Sequence, residues 1–225
     1  MTPKRTLVVA AHPDDEVLGC GGTISKLLSG GGQVKVHFMT DGTGAREASG
    51  GVEKDDRHKA SLKALEILGC RESPSFSDFP DNGMDQVALL DIVRTVEELV
   101  LSFKPDQVLT HHGGDLNVDH CLTQKAVLTA CRPQPSSSVG RILFFEVPSS
   151  TGWGDANQEF FNPTWYEDIS DHLLTKVRAL EAYEEELRVW PHARSLGAVK
   201  ALAEWRGANV GLGAAEAFVL GRNLG

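Results

Sequence analysis

Residues 6–16 read TLVVAAHPDDE, an apolar run that breaks off into one imidazole, a proline and three carboxylates, after which helical periodicity takes over through residues 17–28. A short Val/Leu-rich run meeting a helix start at a polar turn is the signature of a buried parallel strand feeding a crossover helix. Working outward, similar runs recur at residues 34–39, 106–110 and 141–147, with a weaker one at 75–79. Helical periodicity occupies residues 54–68, 86–103 and 119–131 between them. Strands alternating with helices of this length need a sheet covered on both faces, because each crossover helix must lie against the sheet. The expectation is a doubly wound, Rossmann-like α/β sandwich with a mostly parallel sheet ordered 3-2-1-4-5. Beyond Val147 the pattern predicts a long loop at 148–164, an amphipathic helix at 170–187, and a PHARS turn at 191–195. A second helix to about Trp205 and a last strand near 217–220 complete this C-terminal helical extension.

At 225 residues, with 41% hydrophobic and 24% charged side chains, the chain supports one core, and residues 1–225 read as a single domain. Lys and Arg total 22 against 31 Asp and Glu, a net charge of -9, with no basic run. That balance argues against a nucleic-acid surface. No apolar stretch reaches spanning length, so no membrane insertion is expected. Cys20, Cys70, Cys121 and Cys131 are scattered without CxxC spacing, which reads as four buried, reduced thiols in a cytoplasmic protein.

Two clusters carry chemistry. In AHPDDE, His12 and Asp15 stand three apart across a turn fixed by Pro13 and can share a cation, while Asp14 projects differently. A single acid would suffice to cap a helix, and three in a row repel one another unless a cation or proton relieves them. The second cluster, HHGGDLNVDH at 111–120, again lies between a strand and a helix. There Asp119 suits a helix cap or a partner that fixes a ligand tautomer. In the 3-2-1-4-5 order the first and fourth strands are neighbours whose connections leave in opposite directions, so both clusters open on one crevice. His12, Asp15 and His120 then form a three-ligand site with room for water, as in catalytic zinc sites. The same two-His, one-carboxylate face also serves ferrous iron or another divalent metal. The spare carboxylate of Asp14, next to the ligands, favours hydrolysis.

AHPDDE, Asp-His opening the helix after the fourth strand, the intervening MTDGTGARE stretch, and the late PHARS and WRG segments resemble the LmbE-like (PIG-L) N-acetylglucosaminyl deacetylases. The resemblance runs over nearly the whole chain. It implies that His12, Asp15 and His120 bind one Zn2+ per chain and that Asp14 is the general base for zinc-activated water. It further implies a small-molecule N-acetylated amino sugar or conjugate as partner, and a chain that can form a homo-oligomer. One departure stands out: many members carry HxxH before the last ligand, whereas this chain has Asn117 in NVDH. Asn117 cannot titrate near neutral pH, so the leaving amine must take its proton from Asp14 or from another group, for which His192 is the candidate.

Substrate contacts are expected from Arg46 in the DGTGARE loop, Asp41 at the end of the second strand, Asp81 in FPDNGMD, Asn117 and His192, with Trp153 and Phe160 of the long loop as stacking surfaces. Rival readings are a catalytically silent metal-binding module or a nucleotide-binding one. The latter rests on Gly19, Gly21 and Gly22, but the turn itself is HPDDE, whose carboxylates would repel a pyrophosphate. Those glycines fit close helix packing better. Neither a G-x-S-x-G elbow nor a Walker-type phosphate loop occurs.

Overall fold

The structure, a computed structural model, describes residues 4–42, 52–135, 137–154 and 159–224. Arg46 therefore lies outside the described residues. Seven strands form one sheet: β1 (Arg5–Ala10), β2 (Gln33–Phe38), β3 (Ser75–Phe76), β4 (Gln107–His111), β5 (Arg141–Phe145), β6 (Trp165–Asp168) and β7 (Ala215–Asn223), in the order β3-β2-β1-β4-β5-β7-β6. The first five pair in parallel in the expected 3-2-1-4-5 order. β7 adds antiparallel to β5, and β6 antiparallel to β7. The C-terminal extension is thus part sheet: the last strand is longer than expected, and β6 lies just past the end of the expected loop.

Period-2 alternation places the core. Val8, Ala10, Leu109, Leu143 and Phe145 point to one face, against helices α1 (Asp15–Ser29), α2 (Val52–Leu68) and α5 (Leu173–Glu181). Leu7, Val9, Val108, Ile142 and Phe144 point to the other, under α3 (Leu89–Phe103) and α4 (Val118–Ala130). A sixth helix, α6 (Leu196–Ala208), packs beside α5 and β7. No helix among the described residues is long and apolar enough to cross a membrane.

Helix α1 bends at Cys20, whose φ of -147° leaves the helical range. The break is satisfied from the far end of the chain: Glu216 of β7 accepts from the backbone N–H groups of Gly22 and Thr23, at 2.9 and 2.7 Å, while Lys176 of α5 donates to Leu18 O. The freed donors and acceptor of a broken helix thereby find partners. The α1 glycines serve packing, as expected: a Cβ on Gly19 would lie 2.3 Å from the Phe145 ring, and one on Gly22 would lie 2.8 Å from Ile169.

Two further sequence expectations change. α5 stops at Glu181 rather than running to 187, because the following turns carry Tyr183 inward to Glu16 and Glu186 toward Arg57. All four cysteines are free, but only Cys20 and Cys131 are buried; Cys70 and Cys121 are half-buried.

Candidate metal centre

β1 and β4 run side by side, in register from Thr6 with Gln107 to Val9 with Thr110, so the turns beyond their carboxyl ends meet. His12 Nδ1 lies 3.2 Å from Asp15 Oδ2, His120 Nε2 lies 3.2 Å from the same oxygen, and the two ring nitrogens are 3.3 Å apart. Three donors converge on one point, and Asp15 Oδ1 is buried with no hydrogen-bond partner among the described residues. A tetrahedral ion with bonds of about 2.0–2.1 Å spaces its ligand atoms about 3.3–3.4 Å apart. The trio fits such an ion in donor chemistry and in spacing.

Each imidazole is oriented from behind. His12 Nε2 donates to Asp119 Oδ2 at 3.0 Å and also faces Asp81 Oδ1 at 3.1 Å. Asp119 is itself held by the N–H groups of Asn82 and Met84, at 2.7 and 3.0 Å. His120 Nδ1 faces Asp115 Oδ1 at 3.1 Å, and the other oxygen of Asp115 accepts from Ser150 and Thr151. His111 lies beneath, stacked on His120 with ring centroids 3.9 Å apart, its Nε2 accepting from the backbone N–H of Ala11 at 2.8 Å. Carboxylates behind ligating imidazoles fix the tautomer and raise ligand basicity.

The electrostatics agree. Burial alone would favour neutral rings, yet hydrogen bonds to Asp119, Asp15 and Asp81 hold His12 well above its ordinary range. His120 is likewise desolvated, and is nevertheless raised to about 9 by Asp15 and Asp115. Asp15 is held well below the carboxylate range despite its burial, chiefly by His120 and His111. A buried pocket with this balance holds positive charge, as protons or as a cation.

Asp14 stands apart from the trio. Burial pushes it up to about 7, opposed by the Arg194 guanidinium, whose Nη1 donates to Oδ2 at 3.1 Å. Its backbone is strained, with φ of 113° in a non-glycine residue. Glu16 braces it: Oε2 accepts from Asp14 N at 3.0 Å, and Oε1 accepts from the Tyr183 hydroxyl at 2.7 Å.

A cleft of about 510 Å³ adjoins the centre, with Asn82, Asn117, Trp153, His192 and Arg194 among its walls. Asn117 is the N-cap of α4: Oδ1 accepts from the N–H of Asp119 and of His120, and Nδ2 donates to Asn82 Oδ1 at 2.9 Å. The cap is therefore Asn117, not Asp119, whose carboxylate faces His12. His192 Nδ1 accepts from Arg194 N at 3.0 Å, so its proton sits on Nε2, and the ring lies edge-on to Trp153. Asp41 lies just beyond the carboxyl end of β2, half-buried. Trp153 and Phe160 are both exposed. Sequence reasoning did not assign Arg194, Glu16, Tyr183 or His111, nor the hold of Asp115 on His120. Arg194 and Tyr183 sit roughly 170 to 180 residues from their partners, at no spacing that a local pattern reveals.

The family model described as PIG-L, GlcNAc-PI de-N-acetylase, matches residues 7–131, more than half of the chain. The Escherichia coli protein named uncharacterized deacetylase YaiS is 31% identical over 187 residues, covering 80% of this chain and 91% of that protein. The 1D-myo-inositol 2-acetamido-2-deoxy-alpha-D-glucopyranoside deacetylase of Mycobacterium sp. strain JLS is 28% identical, covering 85% and 77%. Among solved structures, the N,N'-diacetylchitobiose deacetylase of Pyrococcus horikoshii superposes with a TM-score of 0.79 at 20% identity, over 97% of this chain and 84% of that one. On the family match, the 31% relative and a shared fold that brings both sequence clusters to one crevice, this chain belongs to the PIG-L (LmbE-like) family.

Proposed function

We propose that the protein hydrolyses the N-acetyl group of an amino sugar or amino-sugar conjugate, with a divalent cation, zinc foremost, held by His12, Asp15 and His120. The observation that carries this reading is the juxtaposition of that donor trio with a second carboxylate, Asp14, beside an open cleft. A cation bound there acidifies water and polarises the acetamide carbonyl.

The remaining chemistry belongs to the chain. Arg194 occupies Asp14 Oδ2, and Oδ1 accepts no hydrogen bond among the described residues, so Oδ1 is the oxygen that takes a proton from water. The hydroxyl goes to the acetyl carbon. Asp14 returns the proton to nitrogen as the C–N bond breaks, giving acetate and a free amine. A pKa raised to about 7 suits one group to both tasks near neutral pH. His192, carrying its proton on Nε2, serves as a hydrogen-bond donor to the bound sugar. Asn82 and Trp153 supply a polar contact and a stacking face on the same cleft.

Relatives named for N-acetylated glucosamine-inositol and for diacetylchitobiose support the substrate class. The test is acetate release from a panel of N-acetylated mono- and disaccharides and glycosides, with protein reloaded with zinc and with chelator-treated protein. Zinc-dependent acetate from at least one glycoside is expected. Retained zinc with no acetate from any substrate would leave a silent metal-binding module in its place.

A further inference from the structure

We infer that Arg194 is a positioning residue for Asp14: its guanidinium pins Oδ2 and so leaves Oδ1 as the working oxygen. The role in turnover rests on the deacetylase reading; the contact itself does not. Three other segments meet at this one side chain. Nη1 donates to Asp14 Oδ2 in the β1–α1 turn, and Nε donates to Ser149 Oγ, 3.1 Å away, in the loop after β5. Glu186, from the unwound tail of α5, lies 4.0 Å from Nη1 and is itself paired with Arg57 of α2. The arginine's own turn is braced by Arg194 N donating to His192 Nδ1.

Such cross-bracing matters because the Asp14 backbone is not self-supporting. A non-glycine residue at φ 113° persists only where its surroundings over-determine it. Glu16 holds the Asp14 N–H, which fixes the backbone and not the carboxylate. Among the described residues Arg194 is the one side chain bonded to it. A planar guanidinium can hold Asp14 and Ser149 together through different N–H groups, which an ammonium on a flexible stem cannot do with the same geometry.

The experiment compares Arg194→Lys, Arg194→Gln and Arg194→Ala with wild type in acetate release, and adds guanidinium at non-denaturing concentration to Arg194→Ala. A misaimed base costs turnover more than binding. We therefore expect kcat to fall roughly ten- to a hundredfold in Arg194→Gln, with KM within about threefold. Arg194→Lys should fall between, and guanidinium should restore part of the turnover of Arg194→Ala but none to Asp14→Asn. A second arm needs no turnover: urea unfolding of metal-depleted wild type, Asp14→Ala, Arg194→Gln and the double variant should be non-additive. With an active wild type, unchanged kcat or a raised KM at constant kcat would overturn the Arg194 assignment alone, and an additive cycle would overturn it whether or not the wild type is active. Wild type that releases no acetate would overturn the deacetylase reading and, with it, any part for Arg194 in turnover.

Discussion

Glu216 and Lys176 form an ion pair in the interior, 2.5 Å apart and each under 5% exposed, and together they grip helix α1 on both sides of its kink. The helix so held begins at Asp15, so a residue from the last strand fixes the element that carries a candidate ligand. Removing one partner strands the other charge and frees two backbone donors. Glu216→Ala should cost about 3–5 kcal/mol in urea unfolding, with reduced metal retention. Replacing both residues by apolar ones, as in Lys176→Met with Glu216→Leu, should recover part of that loss. Equal stability of wild type and Glu216→Ala would refute the bracing role.

His37, buried in β2 between the hydroxyls of Ser75 and Ser77, is pushed down to about 4 by its burial, with Lys35 adding to the effect. The folded state therefore keeps this ring neutral while the unfolded chain, at 6.5, takes up a proton. The contribution is fully present above pH 6.5 and is lost as pH falls toward 4, amounting to about 3 kcal/mol at the acid end. His12 and His120 act with the opposite sign, so the comparison must be differential. Between pH 7 and 4.5, urea unfolding of His37→Gln should lose less stability than wild type. Parallel curves would contradict the assignment.

Behind the candidate ligands, Asp119 orients His12 and Asp115 orients His120. Asp119→Asn and Asp115→Asn should each keep the fold and lower zinc affinity about 10- to 100-fold, read by competition with a chromogenic chelator. Because protons and the cation compete for the same two imidazoles, retention should also decline as the buffer is made more acidic. Affinity unaltered in both variants would separate these carboxylates from the metal.

The two strand-to-helix clusters were legible because they are local: in AHPDDE and in HHGGDLNVDH a run of strand residues, a polar turn and a helix start are contiguous. The neighbourhood of β1 and β4 then followed from connection rules. β6 was not legible, since Trp165–Asp168 reads WYED, is at best half-buried and gains its order by pairing with β7. The shortening of α5 was hidden for a related reason. EAYEEEL carries strong helix formers, and only the distant partners of Tyr183 and Glu186 unwind it. The cap role of Asn117 shows only once the helix start at Val118 is known.

That cap gives a prediction. The departure from HxxH is structural as well as chemical, because Asn117 Oδ1 satisfies two of the first N–H groups of the helix that carries Asp119 and His120. Asn117→Ala should lose about 1 kcal/mol, and Asn117→His a similar amount, since imidazole replaces a preferred capping group. Both should fold. Melting temperatures equal to that of wild type would show that water or a neighbour replaces the cap.

Asp14 bears the sharpest prediction, because its geometry separates it from the trio it adjoins. It is not among the three converging donors, its Oδ2 is bonded to Arg194, and burial lifts it to about 7. A group in that position is available for proton transfer and is not needed for holding a cation. Asp14→Asn should keep zinc, because His12, Asp15 and His120 are untouched. The amide retains an oxygen for the Arg194 hydrogen bond but cannot take a proton from water, so acetate release should fall roughly 10²- to 10⁴-fold with substrate binding little changed. The measurement is acetate release at equal zinc occupancy, verified by elemental analysis. Near-normal turnover would remove Asp14 from the reaction, whereas loss of zinc would make Asp14 a ligand and shift the base role to Asp15.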